Sequence, residues 1–115
     1  MYSHFMRPRN RLYISAAFMA NVAAGRAALA AADQAFLEAV AADNARDLVT
    51  LRAAGDRALR QHLIAEQSAR DAIAAGEVGA EELEQDVRLA SVLLDALGHM
   101  IEGFERLQRS PFRHK

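Results

Sequence analysis

Apolar residues recur every three or four positions through almost the whole of this chain, in three successive stripes, and many of them are alanine. That spacing is the period of one helix face, and a stripe of it must be buried against another helix. Alanine is the best helix former and the weakest core filler. The chain is therefore expected to be all-α, with helices that form readily and contact faces that allow close approach. At 115 residues it is read as one domain.

Residues 1–10 read as an irregular basic arm, with Pro8 suited to a turn and Asn10 a plausible N-cap. The helical bundle is expected over residues 11–110, and residues 111–115 form a basic tail behind Pro111. The first helix is predicted from about Arg11 to about Ala42, with the stripe Ile14, Phe18, Val22, Gly25, Leu29, Ala32, Phe36 and Val40. Asp43 and Asn44 mark a boundary lacking both glycine and proline. Asn44 can cap a new helix, so a break is preferred over one continuous rod of about 60 residues. The second helix is predicted over 45–75, on a thinner stripe of Leu48, Leu51, Gly55, Leu59, Leu63 and Ile73, with His62 and Glu66 close to the seam. Gly76-Glu77-Val78-Gly79 is the clearest turn. A third helix follows over 80–108, with Leu83, Val87, Ala90, Leu94, Leu97, Ile101 and Phe104 as its stripe, widened by Leu93, Met100 and Leu107. Short connections make neighbouring helices antiparallel. The expected fold is a long antiparallel three-helix bundle, or a long helical hairpin, with coiled-coil-like packing.

Net charge is −1, so no global field favours nucleic acid or a membrane surface. There is no cysteine, which excludes disulfides, thiolate metal sites and cysteine nucleophiles. Abundant alanine and arginine with few lysines fit a GC-rich bacterial or phage genome. The run Leu12 to Gly25 behind Arg7, Arg9 and Arg11 has the outline of a signal peptide, but Asn21 and Arg26 interrupt it and the same residues keep a helical period. A cytoplasmic location is the expectation. Nothing approaches the roughly 20 apolar residues of a membrane span.

Four constellations could carry chemistry. Arg7, Arg9 and Arg11, among Tyr2, His4 and Phe5, could contact phosphates, but no helix-turn-helix pattern accompanies them and nucleic acid is not the expected partner. His62 with Glu66, and His99 with Glu102, have spacings that place both members of a pair on one helix face, as in metal-binding bundles. The ligand count falls short of a metal site, and no metal or other cofactor is expected. His99, predicted to face outward with Gly103 one turn on, resembles the phospho-accepting segment of histidine phosphotransfer domains, which are helical bundles of about this size. The resemblance covers about five residues and implies a phospho-acceptor role for His99. It departs at Glu102, where that family has a lysine; a carboxylate there repels a phosphoryl group.

The fourth is the alanine-rich amphipathic surface itself, suited to partner helices. No Ser-His-Asp set, phosphate-binding loop, dinucleotide turn or metalloprotease motif is present, so an enzyme is not expected. The leading reading is a small non-enzymatic interaction protein of adaptor, inhibitor or chaperone type, binding a protein partner through a helix face and itself a homodimer. It is similar to small phage-encoded inhibitors and secretion chaperones in size and helicity only. The candidate contact positions are Phe18, Val22, Gly25, Leu29 and Phe36, whose competing role is plain intramolecular core. The alternative function is histidine phosphotransfer through His99.

Overall fold

The computed structural model describes residues 13–110, which fold into three helices and no strand. Helix α1 spans Ala16–Ala42, α2 spans Leu48–Ala74 and α3 spans Ala80–Arg109. At 1.5 Å per residue each is about 40–45 Å long. Phe18 at the start of α1 lies in one cluster with Ala69 and Ala72 at the end of α2 and Val87 early in α3. Ala39 at the other end of α1 clusters with Leu51 and Phe104. The bundle therefore runs up, down and up, with α1 and α3 parallel and α2 antiparallel to both. The predicted arms at 1–10 and 111–115, with Arg7, Arg9 and Asn10, lie outside the described residues, as does Arg11.

The start of α1 corrects the sequence reading. Ser15, not Asn10, caps this helix: its Oγ accepts a hydrogen bond from the backbone N–H of Phe18 at 3.1 Å. Its own N–H donates to Glu77 in the α2–α3 turn at 2.9 Å. Tyr13 pairs with Val78 beside it. These contacts hold residues 13–15 out of the helix and against the turn.

The expected break at Asp43-Asn44 is present. Asp43 takes the left-handed conformation and its N–H donates to the carbonyl of Ala39. Asn44 then caps a short 3-10 turn, Ala45–Asp47, with its side chain accepting from the N–H of Arg46. A left-handed end without glycine is tolerated because aspartate and asparagine visit that region more readily than other residues with a Cβ. The second turn uses glycine. Gly76 has φ +73°, and the N–H groups of Gly76 and Glu77 donate back to Ile73 and Ala72, a double closure that satisfies the last carbonyls of α2.

The core is built mostly from small side chains. Ala28, Ala32 and Ala39 of α1 are buried, as are Ala58, Ala65, Ala69 and Ala72 of α2. A Cβ on Gly25 would stand 3.8 Å from the backbone oxygen of Gln61, so the two backbones are in near contact there. Larger groups fill the space on the α3 side. Phe18, Leu51 and Leu97 are the largest fully buried side chains, and Phe36 meets Phe104 edge to face at 6.3 Å.

The stripe predicted for α2 holds at Leu48 and Leu51 and is corrected beyond them. Leu59, Leu63 and Ile73 are exposed, and Ala58, His62, Ala65, Ala69 and Ala72 are buried instead. Alanine faces permit the shortest separation between helix axes, and the backbone and Cβ contacts made there replace those of larger groups. Along α1 the stripe also slips by one position at its end, burying Ala39 and leaving Val40 exposed.

Candidate interaction surface

The helix α3 carries two apolar stripes, not one. The first, from Leu83 to Phe104, faces the core as predicted. The second follows the same alternation of four and three: Leu89, Leu93, Ala96, Met100, Gly103 and Leu107. Leu93, Met100 and Leu107, read from the sequence as widening the core, are 51%, 47% and 61% exposed. At 100° per residue the second stripe is turned about 100° from the first. It borders the groove between α3 and α1.

That groove is open. Near its upper end it is lined by Arg26, Leu29, Ala30 and Asp33 of α1 and by Leu89 and Leu93 of α3. Arg26 reaches across to Asp86 at 2.6 Å, an exposed ion pair that bridges the two helices. Near its lower end it is lined by Val40, Phe104 and Leu107. Leu37 and Val40 of α1 are also exposed. The result is a face bearing large apolar side chains from two parallel helices.

The sequence-predicted contact positions occupy other places. Phe18 and Val22 are buried in the upper core cluster. Gly25 faces Gln61 and Ala65 of α2. Leu29 and Phe36 are partly buried against the middle cluster. Of the five, only Leu29 also lines the α1–α3 groove. Sequence reasoning gave these positions weight because they formed the clearest period in α1; the signal for the exposed face was the second, equally regular period within α3.

The other side of α3 forms a cleft with α2, of about 380 Å³. Gly55 and Gly98 leave room in it, and Arg52, Asp56, Asp95, His99, Glu102 and Glu105 supply its charges. Glu105 is buried and receives both a guanidinium Nε–H and an NH2 group from Arg52, a bidentate pair. His99 projects outward, with its side chain 83% exposed and its Nδ1 3.7 Å from a Glu102 oxygen. A Cβ on Gly103 would meet nothing within 4 Å. His62 is the opposite case. It is buried in α2, and its Nε2 lies 3.3 Å from Glu66 without the alignment of a hydrogen bond. The two histidine–glutamate pairs do not converge. Among the described residues no group of three or more metal-ligating side chains is arranged to hold an ion, and no helix is long and apolar enough to cross a membrane.

No protein-family model matches the chain, and neither the curated proteins nor the solved structures contain a match.

Proposed function

We propose that this chain is a small non-enzymatic interaction protein, of adaptor, inhibitor or chaperone type, that binds protein through the α1–α3 face. One observation carries the reading: six large apolar side chains, Leu37, Val40, Leu89, Leu93, Met100 and Leu107, stand exposed on that face. Scattered surface leucines need no explanation. A stripe with helical spacing beside an open groove is the form that an amphipathic partner helix recognises. Photocrosslinking from position 93 tests this. With p-benzoylphenylalanine at Leu93, cross-links to polypeptide are expected, and the same group at Val49, on the far side of the bundle in α2, should give few. Equal or absent cross-linking at both positions refutes the reading.

A second reading, histidine phosphotransfer, is favoured by the exposure of His99 and the open approach over Gly103. Glu102 works against it by placing a carboxylate beside the imidazole. Incubation with a small phosphoryl donor should yield an acid-labile, alkali-stable phosphoramidate that His99→Ala abolishes. Absence of label on the wild-type chain ends this alternative.

A further inference from the structure

We infer that the occupant of the α1–α3 face is a second copy of this chain, related by a twofold axis that sets α3 antiparallel to α3 of its partner. The inference rests on the functional reading above and specifies its partner.

Three observations converge on this arrangement. The first is area. Two helices side by side present a face of roughly 20 by 40 Å, or about 800 Å² per partner. That is the standard size of a specific interface, so one further copy can cover the whole face.

The second is shape. A twofold axis passing between Ala96 and Met100 turns the exposed stripe onto itself. Leu89 then opposes Leu107 of the other copy, Leu93 opposes Gly103, and Ala96 opposes Met100. Large side chains meet small ones in the four central layers, and leucines meet at the two ends. A Cβ on Gly103 would meet nothing within 4 Å, so the partner's Leu93 can approach the α3 backbone there. Self-complementarity of one patch is what a twofold interface demands.

The third is charge. The first turns of α3 carry Glu81, Glu82, Glu84 and Asp86, and its last turn carries Arg106 and Arg109. Antiparallel pairing sets each acidic end beside a basic end, and the two helix dipoles also oppose. A parallel pairing would align acid with acid and base with base.

The chain has no cysteine, so introduced thiols can pair only as designed. Two full-length variants, Ala96→Cys and Met100→Cys, are mixed in equal amounts and oxidised mildly, and the products are weighed by mass spectrometry. The wild type and Leu93→Glu are measured in parallel by light scattering over a concentration series. Val49→Glu serves as a surface control, and circular dichroism confirms that each variant is folded. The expected result is twice the chain mass for the wild type and the control, loss of the dimer in Leu93→Glu, and a mixed 96–100 disulfide exceeding both like-with-like products several-fold. Like-with-like disulfides in excess, or no disulfide in a dimer, overturn the antiparallel register. A dimer indifferent to Leu93→Glu uses another face and overturns the inference. A monomer at every concentration also overturns it. In that case cross-links from position 93 to a different polypeptide would leave the interaction reading standing, and their absence would remove both.

Discussion

Replacing Ala32 by leucine should reveal whether the α1–α2 contact is closed by its small residues. Ala32 has no exposed surface and lies in one cluster with Ala28, Ala58 and Leu97. Leucine adds three carbons. If the surroundings held room for them, burial would stabilise the fold by about 0.8 kcal/mol per carbon, or about 2.4 kcal/mol in all. If the space is already filled, α1 must move away from its neighbours or the leucine must take a poor rotamer, at a cost of about 1–3 kcal/mol. The two cases differ in sign, so the test does not depend on a fine measurement. Retreat of α1 would also pull apart the near contact of Gly25 with the Gln61 backbone, about two turns away. Destabilisation is therefore expected. Urea unfolding followed at 222 nm should show a lower midpoint for Ala32→Leu at an unchanged slope. Ala30→Leu, on the exposed side of the same helix, should stay within about 0.5 kcal/mol of wild type under conditions where the chain is monomeric. A midpoint for Ala32→Leu equal to or above wild type would refute the idea of a closed alanine contact.

Other substitutions probe separate features. His62→Leu removes a buried ring nitrogen that has no hydrogen bond, and should raise stability by about 1–3 kcal/mol, visible as a higher thermal midpoint; a loss of that size would mean the imidazole is better satisfied than its geometry indicates. Arg52→Ala strips the buried Glu105 carboxylate of its bidentate partner and should cost about 1–3 kcal/mol in urea, whereas the double change Arg52→Ala with Glu105→Leu should recover part of the loss. Gly79→Ala forces a side chain into φ +86° with its Cβ 3.2 Å from Ile14, and should cost about 1–2 kcal/mol or more; an unchanged melting curve would contradict the turn geometry.

The elements that sequence made legible are those written by local chemistry. The glycines at 76 and 79 announced the α2–α3 turn, and Pro111 with Arg106 and Arg109 marked the end of α3 within a residue or two. The stripe from Leu83 to Phe104 faced the core as its period indicated. Misreadings arose where long-range geometry outweighed local pattern. In α2 Leu51 is buried as its period indicated, but Leu59 and Leu63 are exposed and alanines are buried in their place, because close approach to α1 selects small size over apolar area. At α1 the cap moved to Ser15 because Glu77, distant in sequence, binds its backbone. The outward position of His99 was legible from the helical period alone. The exposed face was harder to see, since a leucine at regular spacing reads as core until the partner helices are placed.

The hydrogen bond from Ser15 to Glu77 has a kinetic meaning as well. It joins residues 62 apart in sequence, so no local structure can form it. Closing so long a loop carries an entropic cost that the bond alone cannot offset; α1, α2 and the turn must already be assembled. The amide proton of Ser15 therefore acts as a sentinel for the finished bundle. Its exchange with solvent should follow the opening of the α1–α2–α3 end as a unit, not the fraying of one helix terminus.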